Sequence, residues 1–416
     1  LSDARARALD ERRIIASARS WLLSANAMQH PAAFAVLSLA CLWNASAALS
    51  LVAISRPRRA PAGEPEGVTV LKPLCGIDTN LRENLRSFFT QDHPRYELLF
   101  GVEGEDDPAI AIVRELIAAH PEVSASLVVH RGGRGINPKV SNLRATIERQ
   151  APRYDLLLIS DSNVSVTPSY VRDMESTLRA TGAGLVTSVV CAEGAQTLGA
   201  ALDNAAMNSD VAPGIALLNV TRMHAAVLGK SMLFRHSVLD RLGGFESVAS
   251  LLAEDYVLGR MFAEAGYGVA VAREVVRTPS ARTTVRGFFQ RHVRWAAMRW
   301  RLAPSAALAE PLTRPLAATL VAIALGMPPS IALLWGFSLM ILRDAVFHSL
   351  TRGRRELLGA LLTAPLREVA AVMIAVAAPF ARDVCWRGKR VRLSAGTRLY
   401  LRAPDARERS RRRSPA

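Results

Sequence analysis

Apolar positions along this chain change their period several times, and each change predicts an element. Residues Ala32 to Ile54 carry no charge and only mild polar groups, Ser38, Asn44, Ser46 and Ser50. A bilayer crossing takes about 20 such residues, so we read 32–54 as a membrane anchor rather than a removed signal, after an N-terminal segment 1–31. The cluster Arg56-Pro57-Arg58-Arg59 follows at once. Basic clusters mark the cytosolic side, although Arg12, Arg13 and Arg19 precede the run. After a Pro/Gly/Glu-rich linker, 60–67, the pattern becomes short apolar runs: 68–72, 96–103, 126–130, 155–161 and 184–190. These read as buried strands. Leu81, Leu85, Phe88 and Phe89, and then Ile110, Val113 and Ile117, fall between them at helical spacing. Strand-helix-strand alternation over 68–284 predicts an α/β domain with a mostly parallel sheet and right-handed crossovers.

The C-terminal third has a different texture. Residues 285–302 mix Arg286, Arg291, Arg294, Arg299 and Arg301 with Phe288, Phe289, Trp295 and Trp300. That mixture predicts an amphipathic interfacial helix lying on a membrane surface; the alternative is an ordinary amphipathic helix packed on the domain. From Pro315 to Leu342 there is no charge, so 313–350 reads as a transmembrane hairpin with Pro328-Pro329 at its turn. Arg343 and Asp344 then lie within its second arm, where ions pair or face protein. The region 356–381 is apolar but interrupted by Pro365, Arg367 and Glu368. It is expected to span or to re-enter as a hairpin, the hairpin keeping the basic tail 382–416 cytosolic.

Composition sharpens this picture. Of the 416 residues, 50% are hydrophobic, which leans toward a membrane protein, and the net charge is +16. Cys41, Cys75, Cys191 and Cys385 are far apart, which argues against a disulfide scaffold or a cysteine-rich zinc fold. The positive charge suits anionic lipid or a phosphorylated ligand, and no nucleic-acid module is visible. Arginine supplies nearly all of it: the lysines are Lys72, Lys139, Lys230 and Lys389. A lysine kept in such a chain marks either chance or a local need for a compact point charge.

Ligands of parallel sheets bind at the carboxyl ends of strands, where Glu103, Asp106, Asp107, Asp161 and Asn163 fall. Asp161, ending an apolar strand, can hold a hard divalent cation that shares oxygen ligands with phosphates; the alternative is a turn-forming Asp-Ser-Asn. Asp107 before Pro108 also reads as a helix cap. Gly135-Ile-Asn-Pro-Lys139-Val-Ser-Asn142 brings a lysine and two amides to the same edge, and Lys72 ends the first strand; either lysine can pair with phosphate. Glu254 and Asp255 open a helix, where acids favour the dipole; Asp255 can also serve as a general base. Arg291 and Arg294 can neutralise a diphosphate leaving group, or touch lipid headgroups.

Leu-Lys72-Pro-Leu-x-Gly, Asp106-Asp107-Pro108, Gly-Ile-Asn-Pro-Lys139, Asp161-Ser, Ala-Glu-Asp255-Tyr and Arg291-x-x-Arg294-Trp295 occur in this order. In that sequence of motifs the chain resembles the ceramide glucosyltransferases, glycosyltransferase family 21, over roughly residues 32–395. The resemblance implies a cytosolic GT-A (Rossmann-like) catalytic domain, and we expect an integral protein of the bacterial inner membrane. It implies a UDP-glucose donor with Mg2+ or Mn2+, and a ceramide acceptor glucosylated with inversion at its primary hydroxyl. It assigns Asp107, with Lys72 and Lys139, to donor binding, Asp161 to donor and metal, and Asp255 to the base. Arg291, Arg294 and Trp295 fall near the diphosphate and acceptor. Ala205–Leu218, Ala225 and Lys230 depart from the animal members in the acceptor half. Another lipid acceptor, such as a hopanoid receiving N-acetylglucosamine, or a processive polysaccharide synthase, are the rival readings.

Overall fold

The computed structural model describes residues 30–401 apart from 133–134 and 387–388. The N-terminal segment up to residue 29 and the last part of the basic tail, 402–416, lie outside the described residues.

Helix α1 (Pro31–Ser55) leads into a sheet domain. Strands β1 (Val68–Leu74), β2 (Tyr96–Glu103), β3 (Ala125–His130) and β4 (Leu156–Ser160) alternate with α2 (Leu81–Phe89), α3 (Ala109–Ala119) and α4 (Pro138–Arg149). Helix α5 (Tyr170–Thr181), β5 (Leu185–Thr187), β6 (Val190–Glu193), α6 (Leu198–Ala206) and α7 (Ala212–Val220) come next. Strand β7 (Ser231–Arg235), α8 (Glu254–Glu264), β8 (Val269–Val271) and β9 (Val276–Pro279) complete the domain. The large sheet has the order β3-β2-β1-β4-β7-β5-β8. Its first four strands are parallel, and β7 runs antiparallel to both β4 and β5.

Every residue of β1 and β4 is buried, which explains why their sequences are apolar without alternation. The period of two survives in which face each residue serves. Val68, Val70, Leu98, Phe100, Leu156 and Leu158 pack on Leu85, Phe88 and Val113 of α2 and α3. Leu71, Leu99, Leu157 and Ile159 pack on Val140, Leu143, Leu258 and Phe262 of α4 and α8. The strand expected at 184–190 is two strands: β5 belongs to the large sheet, while β6 pairs with β9 in a second, two-stranded sheet. An unbroken apolar run does not mark the point where a chain leaves one sheet for another.

Helix α9 (Val285–Leu302) has the extent expected, but its apolar side is covered by protein. Phe288 and Ala296 pack with Leu202 and Ala206 of α6 and with Ala370 and Ile374 further on. Amphipathicity alone does not say whether lipid or protein covers a face. Helices α10 (Pro304–Ala309) and α11 (Pro315–Ala324) follow, the latter bent by 87° from the segment before it. Helix α12 (Pro329–Arg352) is long, so the expected hairpin has one arm of 10 residues and one of 24. Helix α13 (Leu357–Ala377) runs through Pro365 without a break, a difference from the interruption expected there. Its Arg367 and Glu368 are buried and paired with Asp344 and Arg343, so neither charge is left without a counter-ion.

Helices α1, α12 and α13 are long and apolar enough to cross a membrane. Ala33 and Leu37 share a cluster with Ala332, while Leu51 and Ile54 share one with Phe347, so α1 and α12 run parallel. Leu42, Leu49, Leu334 and Phe337 are exposed along them. Three arginines and three acids meet beside this pair. Arg343 reaches Glu368 at 2.8 Å, Arg367 reaches Asp344 at 2.9 Å, and Arg314 reaches Asp210 at 3.0 Å. Asp210 comes from a π-helical turn, Met207–Val211, between α6 and α7.

The region expected as a basic tail folds back. Strands β10 (Asp383–Trp386), β11 (Lys389–Leu393) and β12 (Leu399–Leu401) form an antiparallel sheet. Leu399 N–H donates to the Ser250 carbonyl and Leu252 N–H to that of Thr397.

Candidate active site

The order β2-β1-β4 puts the reversal of the crossovers between β1 and β4, and the crevice in which such sheets take their ligands falls at the carboxyl ends of these two strands. Asp161 stands there, directly after β4. Its Oδ1 lies 2.9 Å from Lys139 Nζ and its Oδ2 3.9 Å from Lys230 Nζ. Burial opposes ionisation of Asp161, but Lys139 and Lys230 outweigh it and hold the carboxyl below its ordinary range.

Lys139 is placed by the start of α4. Asn137 caps that helix, its side chain accepting from Lys139 N–H and Val140 N–H, and Pro138 fits the first turn. The ammonium also reaches Glu254 Oε1 at 3.4 Å and donates to the Gly229 carbonyl at 2.6 Å. Burial works against its charge; Asp161, Glu254 and Asp255 together overcome that and raise it above the ordinary lysine value. Lys139 therefore knots together three segments far apart in the chain.

Glu254 and Asp255 open α8. Asp255 Oδ2 accepts the Gly229 N–H at 2.7 Å and Oδ1 its neighbour Tyr256 N–H at 2.8 Å. These bonds aim the carboxylate into the crevice beside Lys139. Burial raises both carboxyls, that of Glu254 to about 7, with Lys139 pulling the other way. Asp255, raised above the ordinary carboxylate range and held in a fixed orientation, is suited to take a proton from a hydroxyl.

The chain compared with known proteins gives one consistent answer. The model of glycosyl transferase family 21 matches residues 31–399. The chain belongs to glycosyltransferase family 21. Among similar proteins, ceramide glucosyltransferase 1 of Caenorhabditis elegans is 31% identical over 343 residues, 80% of this chain and 73% of that relative. Ceramide glucosyltransferase 3 of the same organism is 33% identical over 248 residues, 59% of this chain and 53% of the relative. The chain thus spans about half the length of the second. Among solved structures, a mannosyltransferase from Pyrobaculum calidifontis in complex with GDP-Man and Mn2+ covers 79% of this chain and 99% of its own, with 19% identity and a TM-score of 0.47. The sheet domain is α/β with a mostly parallel sheet, and the chain is a hexosyltransferase.

Family 21 motifs now find their places. Lys72 is enclosed, 1% exposed, with its ammonium 3.7 Å from the Phe88 ring centre and bonded to Ser160 Oγ and the Asp161 carbonyl. It braces the end of β4 from behind, and burial pushes it well below the ordinary lysine value. Asp107 lies one strand further out, beyond β2. Its carboxylate accepts from Gly76 N–H and Ala109 N–H, each at 2.8 Å, so it both caps α3 and ties down the loop after β1. Asn142 likewise holds the ends of β1 and β2 through the Leu74 and Gly101 carbonyls. On α9, Arg291 and His292 both contact the buried carboxylate of Asp203, and His292 lies edge-on to Trp295. Arg294 is half-buried on the same helix.

A divalent ion fits this donor set poorly. Asp161 is the expected ligand, yet Lys139 lies on one of its oxygens and Lys230 faces the other. Among the described residues no group of three His, Cys, Asp or Glu side chains is gathered as a metal site. Hard cations take about six oxygen ligands, and ammonium groups supply none.

Sequence reasoning missed Asp203 and Asp210, single acids within apolar helical stretches. It singled out Lys230 only as rare and as a departure. That rarity was informative: three of the four lysines, Lys72, Lys139 and Lys230, converge on Asp161.

Proposed function

We propose that this family 21 enzyme transfers a hexose, glucose foremost, from a UDP-sugar to the primary hydroxyl of ceramide, with inversion. The observation that carries the reading is that Lys139 pairs with Asp161 and Glu254 and donates to the carbonyl of Gly229, whose N–H holds Asp255 beside them. Asp255 takes the hydroxyl proton as the acceptor oxygen forms its bond to the anomeric carbon. The bond from that carbon to the diphosphate breaks on the opposite face, and its electron pair leaves with UDP. Lys139 and Arg291 stabilise the charge that grows there. Arg291 is held for this by Asp203, where Arg291 and His292 outweigh the cost of burying the acid. The names of the relatives support ceramide as acceptor.

In this reading α1 and α12 cross the membrane as a parallel pair, with both carboxyl ends on the side of the sheet domain, which faces the cytosol. Helix α13 starts beside the Arg352–Glu193 ion pair and ends where Arg301 donates to the Ala381 carbonyl at 2.7 Å. Both of its ends are thus tied to the sheet domain, which supports a helix lying in the interface rather than a third crossing. The acceptor hydroxyl then reaches the site without the lipid leaving the membrane.

The test is to incubate detergent-solubilised protein with ceramide and UDP-glucose, UDP-galactose or UDP-N-acetylglucosamine, and to identify the lipid products by mass spectrometry. A hexosylceramide is expected, lost in Asp255→Asn while UDP binding persists. UDP release with total membrane lipid but no hexosylceramide replaces the acceptor. Substantial turnover by Asp255→Asn refutes the base.

A further inference from the structure

Lys230 sits where an Asp-x-Asp pair would present its metal. Its ammonium donates to Asn163 Oδ1, lies 3.9 Å from Asp161 Oδ2 and reaches Thr278 Oγ1 at 3.5 Å. Asp161 and Asn163 are the first and third residues of that turn, so the lysine is hydrogen-bonded or faced at both positions at which a cation would be held. Thr278 is fixed in turn by donating to the Asn163 carbonyl at 2.8 Å. The Lys230 side chain is 20% exposed, so it is not sealed from solvent. Lys139 occupies the other oxygen of Asp161 at 2.9 Å, and Arg291 adds positive charge nearby. A dication placed on Asp161 would face both ammonium groups at close range.

Resting on the reading that a UDP-sugar is the donor, we propose that Lys230 is the resident cation for the donor diphosphate, in place of a divalent metal. A lysine ammonium is a compact, rotatable charge with three donors, able to follow a phosphate oxygen as charge grows on it. With Lys230 at the diphosphate, bond breaking leaves the electron pair on UDP beside a fixed positive charge. The asparagine at the third position fits the same logic. A second carboxylate there would attract a divalent ion, whereas a neutral amide oxygen accepts from the lysine and leaves the ammonium free to neutralise phosphate.

The experiment is calorimetric titration of UDP into the full chain in detergent, in excess EDTA and then in Mn2+, with transfer measured under both conditions. The wild-type protein is expected to bind UDP and to turn over in EDTA with constants within about threefold of those in Mn2+. Lys230→Met is expected to lose UDP affinity in EDTA by about tenfold or more, the size of a charge-assisted hydrogen bond. Part of that loss should return with Mn2+, because removing the ammonium frees Asp161. Lys230→Arg should keep most of the binding in EDTA, and melting curves report whether each variant folds. Wild-type UDP binding and transfer that both require Mn2+ overturn the proposal, whatever the variants do. No UDP binding under any condition refutes the UDP-sugar donor instead.

Discussion

Replacing Lys139 with methionine removes the cation that touches both Asp161 and Glu254. The side chain keeps its apolar stem, so packing changes little, but the carboxyls lose the charge that favours their ionised forms. At the observed 3.4 Å from Glu254, and with an effective dielectric of about 20, the lost attraction is about 5 kcal/mol before relaxation. One pH unit corresponds to about 1.4 kcal/mol, so bare electrostatics corresponds to about three to four units. Water entering the vacated space recovers much of this. The expected residue is a rise of at least about one unit in the acid limb of kcat/KM. The sign is fixed: without the ammonium the Glu254 and Asp255 carboxyls hold their protons to higher pH, so the base is ionised only in more alkaline buffer. The assay is initial-rate sugar transfer across pH 5.5 to about 9.5 for wild type and Lys139→Met, the window that brackets the Glu254 carboxyl near 7. Recovery of rate at high pH is part of the prediction, because it separates an electrostatic effect from a collapsed site. An acid limb that stays in place, with rate lost equally at every pH, would refute the reasoning.

Two further outcomes follow from close packing and from buried charge. A methyl group on Gly229 would lie 2.9 Å from Lys139 Nζ and 3.0 Å from Asp255 Oδ2. Gly229→Ala should therefore displace the base and lower kcat on the order of 100-fold, with melting of the protein little changed. Asp344, fully buried, is paired with Arg367 at 2.9 Å and Arg343 at 3.0 Å. Asp344→Ala takes one carboxylate from two buried arginines that keep Glu368 as a partner, and should cost about 2–3 kcal/mol, read as a lower unfolding midpoint in detergent. The double variant Asp344→Leu/Arg367→Met should recover much of that loss.

Several parts of the site were legible because their chemistry is local. Gly135-Ile-Asn-Pro-Lys139 reads as a lysine and amides brought to the sheet edge, and the structure adds that Asn137 caps the helix that aims Lys139. Glu254 and Asp255 read as the first turn of a helix, and Asp161 as the end of a buried strand; all three hold. Asp203 could not be found in this way. Its partners Arg291 and His292 lie 88 and 89 residues further along, and nothing near Asp203 in the chain distinguishes it from any acid on an amphipathic helix. Asp210 is similar: it is aimed by a π-helical turn, and its partners come from separate helices.

The sequence by itself determined the alternation of strands and helices, the long apolar segments and the residues able to carry charge to a strand end, because these depend on neighbours a few positions apart. Tertiary structure decided the rest. It split the run at 184–190 between two sheets, covered the apolar face of α9 with protein and folded residues 383–401 back onto the loop before Glu254. It also turned Lys72 inward to brace β4 while setting Lys230 against Asp161 and Asn163. The physical reason is common to all of these. What covers an apolar face, or which opposite charge a lysine meets, is set by segments brought together only when the core closes, and an ion pair over 3 Å of space leaves no trace in spacing along the chain.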